Sequence, residues 1–276
     1  MSDVYVRFWG VRGSVPTPGP ETRRYGGNTS CVEVRLGPHR LVFDAGTGIR
    51  PLGREWLRSR RPLTAHLFLS HLHFDHLCGL PFFAPLRDPA HRFRLWCGHL
   101  RARGTTLAAT LAQLVCQPFF PIPLEALAAR LEYRDFRAGE TLEPEPGVVV
   151  RTAPLRHPGG ATGYRVEYGG RILCYVTDTE HEEGVRDPAV TALIRDADLV
   201  IYDCTYTDEE FPRFRGWGHS TWQEGVRLVE AAGAGRLVVF HHHPDRDDDA
   251  LDAIAAELER RRPGSRVARE GLVLSL

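Results

Sequence analysis

The 276-residue sequence contains no lysine, so all 35 of its basic residues are arginine. This absence excludes chemistry through a Schiff-base lysine and the lysine-dependent phosphate loop of Walker-type nucleotide-binding proteins. Long apolar runs are also missing, because no stretch approaches the roughly eighteen residues needed to span a membrane. Residues 1–7 lack the apolar core of a signal peptide. We therefore expect a cytoplasmic protein with no membrane partner.

An excess of charge of one sign is lacking as well, because 35 acidic residues balance the 35 arginines. This balance argues against a protein that grips long nucleic acids through their phosphates alone. The six cysteines are scattered and form no Cys-x-x-Cys pair, so we expect them to be reduced. The length and the ordinary apolar fraction of 42% predict a single domain over residues 1–276.

Histidine, in contrast, is concentrated in one place. Residues 71–76 read His-Leu-His-Phe-Asp-His, directly after an apolar run typical of a strand. Imidazole nitrogen and carboxylate oxygen are ligands that zinc, iron and manganese accept. A strand points alternate side chains in opposite directions, whereas a loop that turns into a helix can aim four ligands at one place. We expect His71 and His73 to face one metal ion, and Asp75 and His76 a second.

Apolar segments typical of strands occur in both halves of the chain, with helical spacing between them. Predicted strands cover residues 4–9, 31–36, 41–43, 147–151, 163–168, 171–176, 199–202, 236–240 and 272–274. Predicted helices cover residues 48–58, 220–232 and 247–261, with one or two more within 103–136. The repeated order predicts an α/β fold, namely an αββα sandwich of two packed mixed sheets with helices outside. Loops at one edge of the paired sheets would then carry the site.

Further polar residues follow later predicted strands and would land on the same edge. They are His157, Asp178 and the triplet His241 to His243. With residues 71–76 they resemble the metallo-β-lactamase superfamily, whose pattern is His-x-His-x-Asp-His, then a His, an Asp and a late His. The stretches 10–14, 26–30 and 43–48 also look like the first strands of that family.

The resemblance implies a role for each of these residues. It assigns one metal ion to His71, His73 and His157, the other to Asp75, His76 and a late His, and a bridging position to Asp178. Asp44 would orient a ligand imidazole. Because Pro244 follows His243, His242 is the better match for the late ligand, with His241 and His243 as alternatives.

Two further motifs resemble the tRNase Z and cyclic-phosphodiesterase branch. His219 lies in Gly-His-Ser-Thr, and the resemblance implies that it donates a proton to the leaving group. Asp203 would orient it, although that branch has Glu after a His where this chain has Asp after Tyr202. The alternative for His219 is a packing residue beside a helix start, where Ser220 or Thr221 would be the N-cap.

The resemblance thus implies a hydrolase with two divalent ions, expected to be zinc although manganese and iron suit the same ligands. A bridging hydroxide between the ions would attack phosphorus. No basic arm for tRNA is visible, so we predict a small, cyclic nucleotide or ribose phosphate as substrate. Ser14, Asn28 and Thr29 are candidate phosphate donors, with plain turns as the alternative.

Three other functions stay open at this point. They are a tRNase Z-like RNA 3′-processing endonuclease, a thioester or lactone hydrolase of the same superfamily, and a non-catalytic protein that keeps its metals for structure. A homodimer is expected from the family.

Overall fold

Two seven-stranded sheets form the centre of the molecule in the computed structural model, which describes residues 4–276. The strands of the first sheet are β1 (Val4–Gly10), β2 (Cys31–Leu36), β3 (His39–Phe43), β4 (Thr64–Leu69), β5 (Arg92–Cys97), β6 (Arg130–Asp135) and the last strand of the chain, β14 (Val273–Ser275). Their order across the sheet is β14-β1-β2-β3-β4-β5-β6. The pairs from β3 to β6 are parallel, and the others are antiparallel, so the sheet is mixed.

The second sheet has the same build. Its strands are β7 (Thr141–Glu145), β8 (Val148–Leu155), β9 (Ala161–Tyr168), β10 (Arg171–Val176), β11 (Leu199–Asp203), β12 (Arg236–Phe240) and β13 (Arg266–Val267). They lie in the order β13-β12-β11-β10-β9-β8-β7, with parallel pairs from β10 to β13. The first half of the chain forms one sheet, completed by β14 from the carboxyl end, and the second half forms the other, and these two mixed sheets confirm the predicted architecture.

Helices cover the outer face of each sheet. They are α1 (Ile49–Leu57), α2 (Leu107–Leu114), α3 (Pro188–Ile194), α4 (Trp222–Ala231) and α5 (Asp248–Arg261). One apolar cluster joins the first sheet to α1 and α2, and a second joins the other sheet to α3, α4 and α5. A third cluster fills the space between the sheets. The layers are therefore helix, sheet, sheet and helix, which is the predicted αββα sandwich.

The alternation of side chains along β3 shows why the sequence forms these layers. Leu41 and Phe43 point into the layer between the sheets, while Val42 points to the helices. Each of the three side chains is fully buried. A strand covered on both faces is apolar at every position, which is the pattern of this segment.

Parallel strands bring their carboxyl ends to one edge of each sheet, and this edge carries the candidate site. The loop after β4 holds the residue 71–76 motif, and the segments after β8, β10 and β12 hold His157, Asp178 and the His241 triplet. Asp203 is the last residue of β11. The fold thus gathers residues that lie as far as 170 positions apart.

Several predicted elements need correction. The segment 103–136 contains α2 but ends in strand β6. Strands β5 and β7 and helix α3 are not among the predicted elements. Alternating Arg and apolar residues in β5 and the Pro of β7 hide the strand pattern in these two segments. The predicted domain 1–276 includes residues 1–3, which lie outside the described part. Within residues 4–276, no helix combines the length and apolarity required to cross a bilayer.

Candidate metal centre and active site

Three imidazoles meet where β4 and β8 end. His71 and His73 follow β4 by two and four residues, and His157 follows β8 by two. Their ligand nitrogens lie within 4.8 Å of one another, and His73 Nδ1 is 3.0 Å from His157 Nε2. We call this group the outer trio, because His73 is exposed to solvent.

A second group, the inner trio, consists of Asp75, His76 and His241, and all three residues are buried. A single turn of 3-10 helix, Phe74–His76, aims Asp75 and His76 inward, and His241 comes directly after β12. Asp75 Oδ2 lies 3.1 Å from His76 Nε2 and 3.4 Å from His241 Nε2. The loop after β4 therefore supplies both trios, as the spacing of its residues predicts.

Asp178 lies between the two trios, and its carboxylate faces both. Its Oδ1 atom is 3.8 Å from Nε2 of His71 and 3.8 Å from Nε2 of His157. Its Oδ2 atom is 3.2 Å from Nε2 of His76 and 3.4 Å from Nε2 of His241. This placement would let one carboxylate contribute an oxygen to each of two ions.

Asp44 fixes the tautomers of two of these imidazoles. Its buried carboxylate accepts hydrogen bonds from Ser70 Oγ (2.8 Å), Tyr175 Oη (2.7 Å) and His76 Nδ1 (2.8 Å). His76 must therefore carry its proton on Nδ1. Because the Ser70 hydroxyl donates to Asp44, it accepts from His71 Nδ1 at 3.0 Å. In the neutral form that binds metal, both rings have their lone pair on Nε2, directed at the centre. Burial would lower the pKa of His76, but the charges of Asp178 and Asp75 outweigh it and hold that pKa well above its usual range, so metal binding must displace the Nε2 proton of this ring.

A hydrogen bond to Nδ1 also fixes the tautomer of two ligand candidates from the second half of the chain, His241 and His157. Thr205 Oγ1 donates to Asp203 Oδ1 at 2.8 Å and accepts from His241 Nδ1 at 2.9 Å. His157 Nδ1 donates to the main-chain carbonyl of Gly218 at 2.8 Å. Each of these rings also directs the Nε2 lone pair at the centre.

The donor set fits divalent metal ions. His71 Nε2 is fully buried and has no hydrogen-bond partner, which is costly for a polar atom unless it binds something else. The Nε2 atoms of His76 and His241 face each other at 3.2 Å although both Nδ1 atoms act as donors. Converging nitrogen lone pairs and carboxylates are what a cation such as zinc requires.

Burial and mutual charge shift the pKa values of these groups. Burial, followed by the neighbouring charge of His76, holds the pKa of His71 well below its usual range, so this ring is neutral. Burial alone would raise the pKa of Asp178, but the facing charges of His241 and His76 outweigh it and hold that pKa well below its usual range. The pKa of Asp75 is lowered for the same reason by His76. Neutral imidazoles and ionised carboxylates are the forms that bind metal.

His219 lies beside the centre in contact with both Asp203 and Asp178. Its Nδ1 atom is 3.0 Å from Asp203 Oδ2 and 3.7 Å from Asp178 Oδ1. Thr179 N also donates to Asp203 Oδ2, so the carboxylate is held from two sides. Burial would lower the pKa of His219, but the charge of Asp203 outweighs it and raises the pKa to about 9. The ring is therefore protonated at neutral pH when no metal is bound.

The structure places His241, not His242, in the centre, which corrects the preference for His242. The His242 ring points away, and its Nε2 atom donates to the carbonyl of Ala268 at 2.7 Å. His241 has a positive φ of 62°, which turns its side chain toward the centre immediately after β12. His243 is also outside both trios and packs near Tyr206.

The candidate phosphate donors near the amino terminus already have partners within the protein. Ser14 N donates to Asp75 Oδ2 at 2.8 Å and so supports the inner trio. Asn28 donates to the carboxylate of Glu270 through both its backbone and its side chain. Thr29 is fully buried, and its Oγ1 accepts from Thr47 N. These contacts favour the turn interpretation of the three residues over substrate binding.

Sequence reasoning missed the groups that support the centre from behind, namely Ser70, Tyr175, Thr205 and Glu180. One signal was available for Tyr175. In β10 it shares the face of Leu173, which points between the sheets, and a tyrosine hydroxyl buried there needs a partner. The acceptor of that hydroxyl is Asp44, which the sequence already predicts to orient a ligand imidazole.

Comparisons with known proteins agree with this geometry. The profile of a family described as "Beta-lactamase superfamily domain" matches residues 39–242. The chain is 28% identical to a protein of Haloarcula marismortui named Ribonuclease Z, over 86% of this chain and 85% of that protein.

Two solved structures share the fold. The metallo-β-lactamase fold protein YhfI from Bacillus subtilis matches with a TM-score of 0.74 and 18% identity, over 99% of both chains. Zinc-bound PqqB from Methylobacterium extorquens matches with a TM-score of 0.73 and 20% identity, over 99% of this chain and all of that one.

Proposed function

The chain belongs to the beta-lactamase superfamily, and from that premise we propose that it is a hydrolase of phosphodiesters that uses two divalent metal ions. Its ligands are His71, His73 and His157 for one ion and Asp75, His76 and His241 for the other, with Asp178 shared between them. Zinc suits this set of nitrogen and oxygen ligands, and zinc is bound in the PqqB structure.

One observation carries this proposal, namely the position of His219. A metal centre alone is compatible with lactam, thioester or phosphodiester substrates. An alkoxide leaving group also needs a proton donor, and His219 supplies one beside the centre, where its Nδ1 atom lies 3.7 Å from Oδ1 of the shared Asp178. Asp203 orients that ring and favours its protonated form through the 3.0 Å contact.

The residues divide the reaction between them. Bound at the two trios, divalent ions supply a nucleophilic water near neutral pH and offset the charge of the phosphate. Asp44 and Thr205 hold His76 and His241 in the tautomer that leaves Nε2 free. His219 transfers the proton on its Nε2 atom to the leaving oxygen, while its Nδ1 proton stays with Asp203.

We further propose a small phosphodiester, such as a cyclic nucleotide or ribose phosphate, as the substrate. A cavity of about 590 Å³ opens beside the outer trio, with Arg156, His157 and Gly218 among its lining residues. Small-ligand sites have volumes of roughly 300–1,000 Å³. The net charge of zero and the lack of a basic arm also favour a small substrate over folded RNA.

RNA 3′-end processing is the second candidate, and the Ribonuclease Z name of the relative from Haloarcula marismortui favours it. It uses the same centre and the same proton donor. The two candidates differ in the surface that holds the rest of the substrate, so a direct comparison of substrates separates them.

The test is turnover of bis-p-nitrophenyl phosphate by zinc-loaded protein, with and without chelator. We expect chelator-sensitive turnover, followed by activity on a panel of cyclic nucleotides. Cleavage of a 3′-extended tRNA precursor at low enzyme concentration would favour the RNA candidate instead. Metal-loaded protein that leaves all of these phosphodiesters intact would refute the proposal.

A further inference from the structure

Glu180 holds the turn that comes just before His219, although it lies outside both trios. It follows Asp178 by two residues and is partly buried. Its carboxylate accepts from Gly216 N at 2.9 and 2.8 Å, one distance to each oxygen, and from Gly218 N at 2.8 Å. Both amides of the turn are thus held by one side chain.

The same turn is in direct contact with the outer trio. The Gly218 carbonyl accepts the His157 Nδ1 proton at 2.8 Å. Gly218 has a φ of +87°, and a Cβ atom at this position would lie 2.3 Å from His157 Nδ1. Only glycine therefore allows the main chain to approach the ring this closely, and a small displacement of the turn would lengthen the contact.

We propose that Glu180 is a positioning residue that acts on two groups through this turn. By fixing Gly218 it holds His157 in the tautomer that leaves Nε2 free for metal, and it places His219 beside Asp178. The catalytic half of this inference rests on the proposed function, whereas the metal-binding half does not.

The chemistry of the contact explains why a carboxylate is suited to this place. Hydrogen bonds from backbone N–H groups to an ionised acceptor are about twice as strong as neutral ones. The neighbouring Glu182 and Glu183 cannot replace Glu180, since they are exposed and pair with Arg156 and Arg215. Glu180 thus connects the segment that carries Asp178 to the turn that precedes His219. Both segments are therefore held in place at the centre.

The test is a chelator competition that measures both zinc affinities in Glu180→Ala, Glu180→Gln and wild type. We expect Glu180→Ala to weaken one site by about 10- to 100-fold, as loss of a supporting contact does at other metal sites. Glu180→Gln should restore much of this affinity, because an amide oxygen at the Oε2 position still reaches both amides. Glu259→Ala is the matched control, since that carboxylate accepts from Gly264 N in a turn remote from the centre.

A double-mutant cycle identifies the affected site. On a His157→Ala background, Glu180→Ala should cause no further loss of zinc affinity, because the contact acts through that ring. If both zinc affinities of Glu180→Ala equal those of wild type, the inference is wrong. Equal weakening of both sites with a lower melting temperature would also overturn it, since that indicates a general loss of structure.

Activity is read separately in the same proteins. At saturating zinc, Glu180→Ala should still lower kcat with little change in KM, because His219 is displaced. If wild type turns over no phosphodiester, the proposed function fails, while the zinc affinities still test the role of Glu180 at His157.

Discussion

The inner and outer trios differ in the groups that form hydrogen bonds with their imidazoles on the side away from the centre. In the inner trio, His76 donates directly to the carboxylate of Asp44, and His241 reaches that of Asp203 through the Thr205 hydroxyl. In the outer trio, His71 reaches the carboxylate of Asp44 through the Ser70 hydroxyl, but His157 donates only to a main-chain carbonyl, and His73 is exposed. A carboxylate behind an imidazole raises the basicity of the ligand and fixes its orientation. We therefore expect the inner trio to hold its ion more tightly than the outer trio.

This difference also separates two tasks within one centre. The inner trio is enclosed by residues from both sheets, so its geometry is set when the domain folds. The outer trio borders the cavity lined by Arg156 and His157, where a substrate would enter. We expect stepwise removal of zinc by chelator to empty the outer trio first.

Asp178→Ala should have the largest effect, because it removes the only carboxylate that faces both trios within residues 4–276. A metal ion contributes several kcal/mol of transition-state stabilisation, so we expect a loss of at least about 1,000-fold in kcat/KM. Zinc content should fall at both sites. Loss of one ion alone would show that Asp178 supports only one trio and would contradict its shared role.

His219→Asn should have the next largest effect, and it should leave both trios loaded. Loss of a general acid costs roughly 100- to 10,000-fold in rate. We expect a loss of this size in kcat for a cyclic nucleotide, with two zinc ions still bound. The loss should be smaller for the p-nitrophenyl ester, whose leaving group needs less protonation. Equal losses for both substrates would contradict the role of His219.

Asp44→Asn tests the carboxylate behind the inner trio. We expect zinc affinity at the inner site to fall about 10- to 100-fold, with the outer site less affected. Tyr175→Phe is the control, because it removes another hydrogen bond to Asp44 without touching an imidazole. If Tyr175→Phe weakens zinc binding as strongly, general loss of packing explains the result.

The sequence predicted the layers and most of the centre because these follow from local pattern. Where an apolar strand is followed by His or Asp, those residues are expected at the edge of the sheet where the strand ends. The αββα order follows from the succession of strands and helices alone. The choice between His241 and His242 could not be made in this way. It depends on the positive φ of His241, a backbone conformation that the sequence does not indicate.

The residues that support the ligands could not be predicted from the sequence for a related reason. Thr205 and Glu180 act through contacts across 36 residues each, to His241 and to Gly216. Neither lies in a motif whose spacing indicates a partner. Strand β6 was missed because alternating charged and partly buried residues resemble one face of a helix.

The smallest predicted effect concerns the stability of the zinc-free protein and depends on the contact between His219 and Asp203. Its pKa in the folded state is about 9, above the ordinary 6.5, so protonation favours the folded state. This contribution is complete below pH 6.5 and is lost as the pH rises through 9. We expect wild type to melt above His219→Gln at pH 6 and the two melting temperatures to converge by pH 10. In a domain of this size each kcal/mol corresponds to about 2–4 °C. A difference that stays constant with pH would mean that His219 is neutral when zinc is absent. The charge of Asp203 would then support the inner trio through Thr205 alone.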